Sequence, residues 1–332
     1  MDYFIEVLNK DLDEKKVINL LDDLGLTFKN EDKDFTLVAR YGNEIIGTCS
    51  KYKNIMKCFG VKEEYKGKGI SSDLINSLID KIFEEGYSQY FIFTKEKNRG
   101  IFESLGAEVL YGAEEVVLLE GGLTSINDYL NKMKKSLDID YNKNIGSIVM
   151  NCNPFTVGHR YLIEYASKKC DELIIFVVEE DKSYFSFKDR IYLIKEGTKD
   201  LKNVRVIAGG EYIISSATFP SYFIKEESKR LKAYTKIDGG IFGNFIAKGL
   251  NIKLRFLGEE PECKVTKAYN ESLIEELKKF NINVEVIRRL NFNNKVISAS
   301  EVRKAIKNNN FDGIKDIVPK VTWDYLVKKF KL

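Results

Sequence analysis

Two short stretches carry residue types able to do chemistry. The first is NCNPFTVGH, Asn151 to His159, which holds the only histidine in a chain of 332 residues. It follows the apolar run IGSIVM, Ile145 to Met150, which reads as a buried strand. The loop therefore starts at that strand's C-terminal edge. Pro154 biases Asn153 towards extended backbone, and Gly158 lets the backbone come close to a ligand. His159 is expected in the first turn of the next helix. Free N–H groups and the positive end of the helix dipole gather there, so an imidazole at that point can donate to a phosphate oxygen. A histidine that merely caps or packs is the alternative.

The second stretch is ISASEVR, Ile297 to Arg303. Ser298 and Glu301 have the S-x-x-E spacing of a capping box, which opens a helix and gathers its N–H groups. Arg303 is placed on that first turn, where a guanidinium can grip a phosphate. Taken alone, the stretch is also a plain helix start. A third stretch, SYFSFKDR (residues 183–190), brings Lys188 and Arg190. They either contact phosphate or acetate, or belong to a helix start with a surface salt pair.

These residues need elements to hold them. From Ile145 onward, near-continuous apolar runs (IGSIVM, LIIFVV, VRVIA, KLRFLG, NVEVI) alternate with helical patterns at Gly158 to Cys170, Phe187 to Asp200, Pro220 to Tyr234 and Thr266 to Phe280, and a helical tail starts near Ser298. That rhythm predicts a parallel sheet covered on both faces, with ligands beyond the C-terminal strand ends at a switch in strand order. The first part reads differently. FTLVAR, EIIGTCS and IMKCFGV form a strand run with a YGNE turn, followed by an amphipathic helix after KGKGI and then YFIF. A strand pair lies around Ala107 to Leu119, EGGLTS is a break, and Thr124 to Leu137 reads as a connecting helix. The expected organisation is a domain over 1–122, a linker over 123–143 and a domain over 144–332.

Composition narrows the function. Five cysteines with no C-x-x-C spacing argue against a disulfide framework or a zinc site, and fit a reducing cytoplasm. No metal-ligand spacing is visible. No run reaches 18 apolar residues, and MDYFIEVLNKDLDEKK has no apolar core, so neither a membrane span nor a signal peptide is expected. The net charge of +3 divides into −7 over residues 1–140 and +10 over the remainder. A basic second half suits an anionic ligand, though a solvated lysine-rich surface gives the same balance. No basic block is interleaved with stacking aromatics, so nucleic acid is not expected. No Walker A sequence occurs, which disfavours a P-loop kinase.

Thr156-Val157-Gly158-His159 and Ile297-Ser298 through Arg303 resemble the (H/T)-x-G-H and I-S-x-x-x-x-R motifs of the nucleotidyltransferase superfamily. That superfamily usually has G-x-F-D-P before the first motif, where this chain has Met150-Asn151-Cys152-Asn153-Pro154. MNCNPFTVGHRYLIE resembles instead the citrate lyase ligase family, as do SYFSFKDR, SSATFPSYFIK (Ser215 to Lys225), GEEP (Gly258 to Pro261) and TKAYN (Thr266 to Asn270). In the first half, Glu64, Gly67 and Gly69 fall on the R/Q-x-x-G-x-G/A motif of the GNAT acetyltransferase superfamily, with Glu64 where Arg or Gln is usual. An acid beside a pyrophosphate is unfavourable.

The resemblance implies a GNAT-like mixed-sheet domain ahead of a Rossmann-like nucleotidyltransferase domain. It implies ATP-dependent acetylation of a thiol through acetyl-adenylate. The thiol belongs to the dephospho-CoA-type prosthetic group of the citrate lyase carrier subunit. ATP, acetate and Mg²⁺ are the expected small molecules. His159, Thr156 and Arg303 are implied as catalytic. Asn153, Pro154, Phe155, Gly158, Ile297, Ser298 and Ser300 are implied as nucleotide contacts, and Gly258, Glu259 and Glu260 as the adenosine side. A cofactor adenylyltransferase acting on NMN or phosphopantetheine, and a nucleotide-binding regulatory protein without chemistry, are the alternatives.

Overall fold

The computed structural model describes the chain except residues 1, 27, 29–32, 180–182, 214–225, 261–263, 293–294 and 332. The chain divides into two compact units. The first takes the chain up to Tyr129 and, later, a stretch ending at Ile237; the second takes the rest.

The first unit is built on a seven-stranded sheet. Its strands are β1 (Phe4–Val7), β2 (Phe35–Tyr41), β3 (Glu44–Tyr52), β4 (Ile55–Val61), β5 (Gln89–Lys95), β6 (Glu108–Ala113) and β7 (Val116–Gly122), in the order β1-β2-β3-β4-β5-β7-β6. All neighbours are antiparallel except β4 and β5, which pair in parallel only at Ile55–Phe91 and Met56–Ile92. Helices α1 (Lys10–Asp23), α2 (Ile70–Glu84) and α3 (Arg99–Glu103) belong to the same unit. The apolar stripe expected for α2 is real: Leu74, Ile75, Leu78 and Ile82 are buried with Ile46, Tyr90 and Leu119 in one core. Helix α4 (Ile126–Ser136) carries the chain into the second unit.

The second unit has the expected parallel sheet, with strands β8 (Ile145–Met150), β9 (Glu172–Val177), β10 (Val204–Ala208), β11 (Ile252–Gly258) and β12 (Asn283–Ile287). Every pairing is parallel and the order is β10-β9-β8-β11-β12. The chain builds outward from β8 on one side, then returns to build outward on the other. The switch therefore falls between β8 and β11, where a crevice opens at the C-terminal strand ends. Helices α5 (Val157–Ser167), α6 (Phe187–Thr198) and α8 (Lys264–Lys278) alternate with the strands, α7 (Glu227–Ile241) starts in the first unit and ends in the second, and α9 (Ala299–Lys307), α10 (Ile314–Ile317) and α11 (Lys320–Phe330) follow. Ile148, Met150, Ile163, Ala166, Ile175, Leu193 and Phe256 share one core on the α5–α6 side. A smaller cluster packs Phe185 against α9, α10 and α11 through Val302, Ile314 and Leu326.

One expected helix ends later than the sequence suggests, and its residues 220–225 lie outside the described ones. The element placed at Pro220 to Tyr234 is described from Glu227 and runs through Gly239 and Gly240 to Ile241, then into a π-helical turn at Phe242–Ala247. Tertiary packing overrides the low helix propensity of glycine here. A Cβ at Gly239 would stand 3.0 Å from Leu273 of α8, and one at Gly243 only 2.3 Å from the Phe280 ring. The glycines let neighbouring chain approach closely. Gly197 of α6 does the same for Phe155, whose ring would meet an added Cβ at 2.4 Å. Gly197→Ala is therefore expected to cost about 1–3 kcal/mol by overpacking and to displace the Phe155 ring. Urea denaturation of the variant checks this.

Candidate active site

The NCNPFTVGH loop leaves β8 at the switch point. Cys152 adopts a left-handed backbone with φ of 49°, and the Asn153–Pro154 peptide is cis. The loop then drops Phe155 into the core, where it is fully buried and its carbonyl accepts from Thr322 Oγ1 at 2.9 Å. The Phe155 ring lies nearly parallel to the His159 ring, 6.2 Å between centroids.

Helix α5 opens with a reciprocal cap. His159 N–H donates to Thr156 Oγ1, and Thr156 N–H donates to His159 Nδ1 at 3.1 Å. The threonine hydroxyl also lies 2.8 Å from Nδ1. A backbone amide can only donate, so Nδ1 is an acceptor and the neutral ring carries its proton on Nε2. Burial first, then the positive charges of Arg289 and Arg303, push the imidazole pKa down from 6.5 to about 4. At neutral pH His159 is thus an uncharged Nε2–H donor.

The reciprocal box expected at Ser298 and Glu301 is not what forms there. Ser298 caps α9 by accepting from Ser300 N at 3.1 Å, and Glu301 is exposed. Arg303 lies one position beyond the first turn. Its guanidinium donates to the Asn153 carbonyl and, at 2.9 Å, to Ser300 Oγ. It staples the two motif loops together, and burial lowers its pKa.

Both helix starts open onto one cavity of about 540 Å³. Thr156, Gly158, His159 and Gly258 line it, together with Glu260, Ile297, Ser298 and Ser300. Gly158 and Ile297 meet across it: a Cβ on the glycine would stand 3.6 Å from the isoleucine carbonyl. Among the other expected contacts, Asn153, Pro154, Phe155, Glu259 and Arg303 stand behind the wall rather than in it.

Arg190 is fully buried beneath the loop. It donates to the carbonyls of Asn151 and Val178, each at 2.8 Å, and of Phe185 at 3.1 Å. Neither the ligand contact nor the surface salt pair describes it. Lys188 is exposed and does not line the cavity. Cys152 is buried, and burial raises its thiol pKa, so it is a packed side chain.

Sequence reasoning missed the third wall. Ile287, Arg288, Arg289 and Leu290 close the cavity just past the end of β12. Arg289 donates to the Glu259 carbonyl at 2.7 Å and pairs with the Glu260 carboxylate. The signal was available: RRL follows directly on NVEVI, at a C-terminal strand end. Two helix N-termini, a neutral histidine donor and arginines around one crevice suit a polyanion that also needs charge stabilised during reaction.

In the first unit, Lys66 to Gly69 of the KGKGI turn are exposed, with Gly67 and Gly69 left-handed and Gly69 capping α2. Acid surrounds it: Glu63 pairs with Lys66, Glu64 is exposed, and Asp73 accepts from Tyr3 Oη at 2.5 Å.

Against known proteins, the model of the citrate lyase ligase C-terminal domain matches residues 145–326, more than half of the chain. The chain belongs to the citrate lyase ligase family. The model of the GNAT acetyltransferase family matches residues 3–106. A citrate pro-3S-lyase ligase of Haemophilus influenzae is 39% identical over 306 residues, covering 90% of this chain and 91% of the relative. One from Escherichia coli K12 is 41% identical over 279 residues, 82% of this chain and 79% of the relative. A phosphopantetheine adenylyltransferase of Clostridium botulinum is 30% identical over 171 residues, 50% of this chain and 83% of the relative. Among the described residues no helix is long and apolar enough to cross a membrane.

Two outcomes follow for this ligase-family site. Arg190→Met takes the donor from one buried and two part-buried carbonyls and should destabilise by about 3 kcal/mol, measured by chemical denaturation. His159 binds its proton less readily folded than unfolded, so the unfolded state gains protons first as pH falls from about 6.5 towards about 4. Stability should fall across that window, and His159→Gln should flatten that part of a melting-temperature profile against pH.

Proposed function

We propose that this chain is an ATP-dependent acetate ligase acting on the carrier subunit of citrate lyase. In the first step an acetate oxygen attacks the α-phosphorus of ATP. The bond from that phosphorus to the bridging oxygen breaks, and pyrophosphate leaves with the electron pair. In the second step the thiol of the carrier's dephospho-CoA-type arm attacks the acetyl carbonyl, loses its proton and releases AMP. The single observation that carries the reading is the convergence of the capped His159 and the α9 N-terminus on one cavity at the β8–β11 switch. The names of the relatives support the overall activity.

On this reading His159 Nε2–H donates to the phosphate oxygens as charge builds in the transition state, and Thr156 fixes its tautomer. Ser298, Ser300 and the free N–H groups of α9 take the leaving pyrophosphate. Arg303 and Arg289 supply positive charge beside them. Gly258 and Glu260 face the adenosine side, with Glu259 behind. The first step is displacement at phosphorus, so positioning and electrostatics carry it rather than covalent catalysis. No cluster of three metal-binding side chains occurs among the described residues. Mg²⁺ enters with the substrate as MgATP.

The domain division of 1–122, 123–143 and 144–332 fits a carrier-recognition module ahead of the adenylating module. The first module would take the CoA-like arm through its pantetheine stretch, because the acidic KGKGI turn opposes a pyrophosphate. A reducing cytoplasmic setting suits the substrate. The adenylyltransferase relative keeps one alternative in view, transfer of AMP to phosphopantetheine.

ATP–pyrophosphate exchange decides between them. Exchange that requires acetate is expected; exchange driven by phosphopantetheine or NMN and indifferent to acetate gives the alternative. His159→Ala should lower acetate-dependent turnover about 10²–10³-fold, as for a lost oxyanion donor. A variant within a few-fold of wild type sinks the role.

A further inference from the structure

The TKAYN stretch lines no part of the cavity, yet it is tied to its wall. Asn270 Nδ2 donates at 3.1 Å to the carbonyl of Gly258, which lines the cavity. The preceding residue, Tyr269, donates through its hydroxyl to Asp238 Oδ2 at 2.5 Å, and Asp238 is buried. These two groups act on a third. Arg255 stands on β11 three residues before Gly258, about 10 Å along the strand.

Arg255 is only 3% exposed, and its Nε and Nη1 are buried with no hydrogen-bond partner among the described residues. Its guanidinium lies 4.3 Å from the centroid of the Phe242 ring. That ring opens the π-helical turn at Phe242–Ala247, and such turns recur at functional sites. Phe176 packs edge-on against it at 5.9 Å. A buried cation without partners is among the costliest arrangements in a protein interior. The same unit shows how a buried arginine is normally satisfied, since Arg190 donates to three carbonyls. Burial lowers the Arg255 pKa, and the Asp238 carboxylate, to which the neutral Tyr269 hydroxyl donates, favours the cationic form against it.

A guanidinium presents a planar fork that matches a carboxylate through two parallel hydrogen bonds. Asp238 already supplies negative charge beside it, so a dianion is disfavoured and a monoanion suits. The buried Phe242 and Phe176 rings make the surroundings of the guanidinium apolar. We propose that Arg255, stacked on Phe242 and flanked by the Asp238–Tyr269 pair, binds the carboxylate of a short monocarboxylic acid. In the reading above, on which this rests, that acid is acetate.

The test varies acetate and ATP separately in pyrophosphate exchange by the full-length protein, with Arg255→Met and Arg255→Lys beside wild type. Thermal melting accompanies each. Arg255→Met should raise the KM for acetate at least tenfold and leave the KM for ATP within twofold. Its melting temperature should hold or rise, because an unpaired buried charge has gone. Arg255→Lys should recover part of the acetate affinity. An acetate KM within twofold of wild type in a folded Met variant overturns the subsite. A lowered melting temperature with unchanged acetate KM overturns it too, in favour of a structural arginine. Where the Met variant does not fold, the Lys variant decides: an acetate KM shifted more than threefold at constant ATP KM supports the subsite, and an unshifted one overturns it. Acetate-dependent exchange in wild type with indifferent variants removes the subsite alone. Exchange by wild type that never depends on acetate removes both this assignment and the ligase reading.

Discussion

One hydrogen bond organises the site: the Thr156 amide donating to His159 Nδ1. An amide nitrogen has a proton to give and nothing to accept with, so it dictates the ring's tautomer. The rest of the local structure serves that contact. The cis Asn153–Pro154 bond and buried Phe155 set the path of the loop, and Gly197 leaves room for the ring beneath His159. Burial, helped by Arg289 and Arg303, holds the imidazole neutral, so the histidine offers a donor without adding a charge.

Buried arginines do three different jobs within this unit. Arg190 is satisfied by carbonyls and braces the loop from below. Arg303 is half-buried and joins the two motif loops, through the Asn153 carbonyl and the Ser300 hydroxyl. Arg255 has no such partners. Stability alone explains the first two, because each guanidinium replaces lost water with fixed acceptors. The third is the exception that a stability argument leaves over, and an unsatisfied buried group is where function is most readily sought.

The two units differ in charge as well as in fold. The basic balance of the second half becomes local at the cavity, where Arg288, Arg289 and two helix N-termini meet. The acidic balance of the first half is local too, at the KGKGI turn with Glu63, Glu64 and Asp73. A glycine turn at a helix start favours an anion through its free N–H groups, and these carboxylates oppose that tendency.

Much of this was legible in the sequence. Period and length of the apolar runs determined the parallel sheet, because a strand buried on both faces has no polar alternation to hide it. The spacing of Thr156 to His159 and of Ile297 to Arg303 marked both cavity walls, since a helix start is a local event written in adjacent residues. What the sequence left open depended on contacts between distant residues. Whether a helix start formed a reciprocal box, as at Thr156 and His159, or a single-sided cap, as at Ser298, turned on side-chain geometry. Whether Arg190 met ligand or backbone turned on Val178 and Asn151, which only the folded sheet brings within reach. The extent of α7 turned on Gly239 and Gly243 packing against Leu273 and Phe280. The isolation of Arg255 among the described residues belongs to the tertiary structure alone, because burial and partnering are properties of a surrounding that no single stretch encodes.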